Sequence, residues 1–159
     1  MNLRGYQTPP RYIEKKKALE AAGYRFKVFE PEDTLSFLAF MREDFGWWLP
    51  DIRPSILDGR AEKTLILAQD TAGATLGFVL RAMDGTAERF GPFGVKASLQ
   101  GTGLGAVLFH TMMESMVESR IFYMYFLWTG GRNLDIYGTW GVKIYRTYAM
   151  MSKVIGDKG

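Results

Sequence analysis

The chain has 159 residues, one histidine, no cysteine and a formal net charge of +3. Without cysteine there is no disulfide, thiolate metal site or cysteine nucleophile, and one histidine leaves little for an imidazole-based metal centre; no metal is expected. One domain is expected at this length, able to bury roughly 70% of its unfolded surface without covalent staples.

Residues 1–10 read as irregular, broken by Gly5 and the Pro9-Pro10 pair. Residues 11–22 read as a short helix stopped by Gly23. Its basic run, Lys15-Lys16-Lys17, stands beside Glu14 and Glu20 and reads as a solvated face, so no nucleic-acid partner is expected. Residues 1–23 are set apart as an extension, in the position of a linker from a longer protein, and residues 24–159 as the main domain.

Residues 24–29 alternate as a first strand. Glu30-Pro31-Glu32-Asp33 then opens a helix, with proline and acids in its first turn. Leu35, Leu38, Phe40, Met41 and Phe45 are expected to form its apolar face. A second helix is expected over 52–57, with Pro54 in its first turn and Gly59 ending it. Residues 64–69 and 75–83 read as strands joined by a hairpin loop at 70–74. Asp84-Gly85-Thr86 turns the chain into a strand at 89–95.

Residues 104–119 have the 3.6-residue period of a helix, with Leu104, Leu108, Met112 and Met116 at intervals of four. His110, Glu114 and Glu118 share the opposite stripe, so His110 is expected at the surface beside Glu114. Residues 121–128 are continuously apolar and aromatic, as in a strand buried on both faces. A last strand is expected over about 143–153. No apolar run approaches the ~18 residues of a membrane span, and a signal-peptide pattern is missing, so no membrane contact and a cytoplasmic location are expected.

Between the strand at 89–95 and the helix at 104 lies Gln100-Gly101-Thr102-Gly103-Leu104-Gly105. Its glycines let the backbone curve so that its N–H groups face one concavity. The helix that follows adds unpaired N–H groups and a positive dipole end. That is an anion site, suited to phosphate or pyrophosphate. A P-loop would need Lys and Ser or Thr after the last glycine, where Ala106 and Val107 stand. A dinucleotide fingerprint would need G-x-G-x-x-G early in the chain.

The remaining pattern, Gln or Arg-x-x-Gly-x-Gly or Ala, is filled by Gln100, Gly103 and Gly105. It resembles the acetyl-CoA signature of the GNAT superfamily of N-acetyltransferases. Val95 precedes Gln100 as a strand-ending residue does in that family. Residues 121–127 match its next strand, and Tyr137 and Gly141 match its later Tyr and Gly spacing, with Val142 in place of an aromatic. Gly130 stands where many members carry Asn. The resemblance covers about residues 24–155.

The resemblance implies an α/β fold: a mixed, twisted β-sheet flanked by helices, with parallel strands at 90–95 and 121–127 splayed at an acetyl-CoA site. It implies backbone pairing of the pantetheine arm with Phe93 and Val95, the Val95 N–H facing the thioester carbonyl. It also implies phosphate held by Gln100, Gly101, Thr102, Gly103, Leu104 and Gly105. Tyr137 would be the acid to the leaving thiolate and Glu88 the nearest candidate base. The acceptor would be a primary amine on a small molecule or peptide, bound near Glu43, Asp44, Trp47, Trp48 and Asp51. The attack would be direct, since no cysteine can relay the acetyl group. A homodimer stays open. A non-catalytic CoA-binding sensor or partner domain is the alternative.

Overall fold

The structure, a computed structural model, describes residues 1–149 and 151. It divides into two compact units, Met1–Thr129 and Gly130–Gly159.

In the first unit, helix α1 (Pro10–Ala21) starts on a proline whose missing N–H costs nothing there. It ends where Gly23 takes φ +95° and donates its N–H to Glu20 O. Strand β1 (Arg25–Val28) follows, then a 3-10 turn at Pro31–Asp33 and helix α2 (Thr34–Asp44). Helix α3 (Leu49–Leu57) and a single turn, α4 (Ala61–Thr64), lead into strands β2 (Leu65–Gln69), β3 (Thr75–Arg81) and β4 (Phe90–Val95). Helix α5 (Leu104–Glu118) closes the series.

The four strands form one sheet in the order β1-β2-β3-β4, antiparallel throughout. β2 is buried along its whole length, as a central strand covered on both faces must be. On one face α2 and α3 contribute Phe37, Phe40, Met41 and Ile52, which pack with Phe29, Leu65, Leu67, Phe78 and Leu80. On the other face α5 buries Leu104, Leu108, Met112 and Met116. Gly77 is what lets α5 come close: a Cβ there would meet Leu108 at 3.0 Å and Leu104 at 3.1 Å.

Several expectations need correction. The apolar face of α2 runs through Phe37, Phe40 and Met41, and Leu35 is 83% exposed. Leu35 lies two residues from Phe37, roughly 200° around a helix, so both cannot face the sheet. α3 begins at Leu49, which puts Pro54 inside the helix rather than in its first turn.

Residues 121–128 form no regular strand. They contribute two isolated bridges: Tyr123 antiparallel to Asn2, and Tyr125 parallel to Arg89. The Phe90 N–H donates to Tyr125 O at 2.8 Å and the Tyr125 N–H to Glu88 O at 3.1 Å. On its other side the segment takes the Leu3 N–H on Phe122 O at 2.8 Å. The parallel part of the sheet is thus confined to the start of β4. Met124 is fully buried, whereas Phe122, Tyr123, Leu127 and Trp128 are exposed. An apolar run matches a doubly covered strand in sequence, but among the described residues Met124 alone in this run is fully buried, with Ile121, Tyr125 and Phe126 half-buried.

The second unit contains helix α6 (Arg132–Thr139), which ends with Trp140 N–H on Tyr137 O and with Gly141 at φ +86°. No strand occurs among the described residues from 142 to 149, where the last strand was expected; residues 150, 152 and 153 lie outside the described residues. No helix among the described residues is long and apolar enough to cross a membrane.

Candidate functional site

β4 carries a register shift opposite Val79 and Arg81: Val79 pairs with Phe93, but Arg81 pairs with Phe90. One extra residue on β4, in the Gly91-Pro92 region, accounts for it. A proline is tolerated at such a bulge, and the bulge bends its strand and raises its twist. This is a physical cause for divergence from the parallel neighbour: pairing reaches Tyr125, and beyond it Leu127 and Trp128 have no backbone partner among the described residues.

The bulge also resets the ladder. Lys96 donates its N–H to Leu76 O at 2.8 Å. N–H directions alternate along a strand, so the Val95 N–H points away from β3, toward the open edge. Phe93 shares that orientation. The two residues expected to offer backbone groups to a ligand therefore face the side where the sheet ends.

After β4, a 3-10 turn at Ala97–Leu99 leads into the glycine loop. Gly101 has φ +83° and Gly103, the N-cap of α5, has φ +93°. Both lie where an L side chain is strained. Thr102 is spent inside the loop: its hydroxyl donates to Leu99 O at 2.7 Å and accepts, more weakly, from the Leu104 N–H at 3.4 Å. Gly101, Gly103, Gly105 and Ala106 have no acceptor for their N–H groups among the described residues. With the dipole of a 15-residue helix behind them, these donors are what an anion needs.

Gly105 does a second job. A Cβ there would meet Phe93 at 3.2 Å and Val95 at 3.5 Å, so the first turn of α5 sits close upon β4. The Gln100 side chain is exposed at the rim. Phe93, Val95 and residues 100–105 are thus brought to one place. Glu88 is not: it precedes β4, roughly 20 Å of extended chain before Val95. Neighbouring Asp84 is tied to Arg89 by an ion pair of 2.6 Å.

At the same end of the sheet, Phe45 lies face-on against Gly94, where a Cβ would meet its ring at 2.5 Å. Its ring stacks on Trp48 at 5.6 Å and meets Trp47 edge-on at 5.7 Å. Glu43 pairs with Lys96 at 3.6 Å, and one carboxylate oxygen of Asp44 is buried with no hydrogen-bond partner among the described residues. An aromatic wall with two acids therefore borders the strand end.

The second unit holds Tyr137, half-buried, edge-on to Trp140 at 5.6 Å. Burial pushes its phenol up to about 12, so it keeps its proton at neutral pH.

His110 departs most from expectation. It is 2% exposed, hydrogen-bonded to the Tyr6 hydroxyl and stacked on Tyr12 at 4.1 Å. Glu114 accepts a bond from the Thr8 hydroxyl at 2.5 Å. The stripe that reads as solvent-facing is the seat of α1 and of the residues before it. Burial, with a smaller contribution from the Arg11 charge, lowers His110 to about 4; burial raises Tyr6 to about 12.

No family model and no curated protein matches the chain. Solved structures do match in shape. A glucosamine N-acetyltransferase region, described as GCN5-related, in a fungal multi-domain GH3 β-N-acetylglucosaminidase superposes with a TM-score of 0.73 at 17% identity. The match covers 87% of this chain and only 18% of that one. Glucosamine-6-phosphate N-acetyltransferase from Arabidopsis thaliana gives 0.55 at 14% identity, over 84% of this chain and 99% of the other. AAC(6')-Iy, held with the bisubstrate analogue CoA-S-monomethyl-acetylneamine, gives 0.59 at 12% identity, over 83% and 99%.

Proposed function

The chain has the GNAT fold, and we propose that it is an acetyl-CoA-dependent N-acetyltransferase acting on a primary amine. The observation that carries this reading is the set of unpaired N–H groups at Gly101, Gly103, Gly105 and Ala106, at the head of α5 and beside the outward-facing Val95 N–H. These groups fit a pyrophosphate at the loop and a thioester carbonyl at the strand edge.

Acetyl-CoA supplies the activated acetyl group. The acceptor nitrogen attacks the thioester carbon, a C–N bond forms and the C–S bond breaks. The Val95 N–H stabilises the oxyanion as it develops. An acceptor that arrives as an ammonium first gives one proton to solvent; the proton that leaves the attacking nitrogen then balances the thiolate. With its phenol held at about 12, Tyr137 acts as a hydrogen-bond donor to the departing sulfur, not as the source of a fully transferred proton. Its assignment rests on the spacing to Gly141. The wall of Phe45, Trp47 and Trp48 with Glu43 and Asp44 suits a cationic acceptor.

The test is thermal unfolding with acetyl-CoA, CoA and NAD, followed by thiol release with an amine panel. At 100 times its dissociation constant a ligand stabilises by about 2.7 kcal/mol, which raises the midpoint by roughly 5–10 °C here. Both CoA forms should do this and NAD should not; indifference to CoA would sink the proposal. Tyr137→Phe should lower turnover by roughly 10- to 100-fold and leave CoA affinity unchanged. A chain that binds CoA and releases no thiol would be a binding module.

A further inference from the structure

The basic run at 15–17 lies on α1, outside the glycine loop in sequence. The structure brings part of it to the loop. α1 packs antiparallel on α5: Thr8 meets Glu114, Tyr12 meets His110, and Lys15 meets Gly103. A Cβ at Gly103 would lie 2.5 Å from Lys15 Cε, 3.2 Å from Cγ and 3.4 Å from Cδ. The aliphatic stem of Lys15 is therefore laid across the N-cap of α5, with its ammonium beyond.

Three further observations bear on what that ammonium does. No carboxylate lies within ion-pairing distance of it among the described residues. Residues 96–105 contain a lysine and no acid, so nothing in the loop itself neutralises it. The seam that holds α1 is fixed by the buried His110 with the half-buried Tyr6 and Tyr12, so the position of Lys15 on α1 is set by the fold and not left to a loose tail. A long cation that packs its stem and leaves its head free beside unpaired N–H donors is poised for an anion.

We propose that Lys15 is a phosphate-binding residue of the acetyl-CoA site, an ammonium supplied by α1 that contacts the CoA pyrophosphate held by the glycine loop. This rests on the acetyltransferase reading above. It gives residues 1–23 a role in cofactor binding. Helical geometry also supplies a control: Lys17 lies two residues, roughly 200°, away from Lys15 around α1, on the far side.

The experiment is calorimetric titration of CoA into the full chain and into Lys15→Met, Lys15→Arg and Lys17→Met, at low and high salt, with unliganded unfolding midpoints alongside. Lys15→Met keeps the stem and loses the charge. The expected result is roughly tenfold weaker CoA binding for Lys15→Met, which is about 1.4 kcal/mol. Near-normal binding is expected for Lys15→Arg and Lys17→Met, and the Lys15→Met gap should narrow as salt rises. The unliganded midpoints should agree.

Dephospho-CoA is the second ligand. An equal loss with it supports the pyrophosphate, and a loss seen only with CoA overturns that assignment in favour of the 3'-phosphate. Wild-type affinity in Lys15→Met, or an equal loss in Lys17→Met, overturns the proposal while leaving the acetyltransferase reading standing. Failure of the wild-type chain to bind CoA overturns both.

Discussion

The glycine loop and the α1–α5 seam sit at opposite ends of one contrast. In the loop, function is proposed for the backbone: N–H groups at Gly101, Gly103 and Gly105, freed by positive φ or by the helix start. In the seam, everything is done by side chains from distant parts of the chain: Tyr6 with His110 and Thr8 with Glu114, 104 and 106 residues apart. A backbone site must write its requirement locally, as glycines at fixed spacing. A side-chain seam needs only complementary shapes and donors, and each half looks ordinary alone.

The contrast can be broken first at Gly103. Gly103→Val adds strain of roughly 1–2 kcal/mol in the left-handed region and drives a side chain into Lys15. CoA affinity should fall by roughly 100-fold, about 3 kcal/mol, with the unliganded fold retained. If affinity survives, the loop is not the phosphate site.

The seam should respond in the opposite sense. His110→Ala removes a buried ring and one hydrogen-bond partner of the Tyr6 hydroxyl, which should cost about 2–4 kcal/mol of stability in urea unfolding. Its effect on CoA affinity should not exceed that of losing Lys15, since α1 touches the site through that residue. A larger effect would mean that the seam shapes the loop itself.

A pH series sharpens the same point. His110 has its folded-state pKa lowered from 6.5 to about 4 by burial, so the unfolded chain takes up the proton first. This contribution is fully present above the unfolded value and is lost as pH falls from about 6.5 to about 4, to a total of about 3 kcal/mol. The groups facing it are Tyr6, Tyr12, Arg11 and Glu114, with Lys16 lining the same cavity. Stability of His110→Gln, measured across that window, should be flat in comparison; an equal slope would assign the loss to other groups. The smallest effect belongs to Tyr6→Phe, which removes one hydrogen bond from the seam and should cost about 1 kcal/mol.

Much of the first unit is legible in the sequence. β2, β3 and β4 are legible as short apolar runs set off by turns, and α5 from the four-residue period of Leu104, Leu108, Met112 and Met116, because burial and chain reversal are both written within a few residues. The glycine loop is legible for the same reason: Gly101 and Gly103 adopt conformations that few other residues accept. The resemblance to one acetyl-CoA motif then names a ligand class for a site whose geometry the fold supplies.

The rest depends on what lies across space. Residues 121–128 read as a buried strand because apolarity is local, but pairing depends on where β4 bends, and its bulge lets the neighbour diverge after Tyr125. Glu88 is near the motif in sequence and far from it along an extended strand. His110 reads as exposed because periodicity reports only which face meets the sheet, not whether another helix covers the second face. Lys15 reads as solvated and is exposed in the structure; what no local pattern shows is that the antiparallel packing of α1 on α5 lays its stem against Gly103. The sequence by itself determined the elements whose demands are written within a few residues. The tertiary structure alone decided which surfaces of those elements are covered, because cover comes from segments whose approach no local pattern encodes.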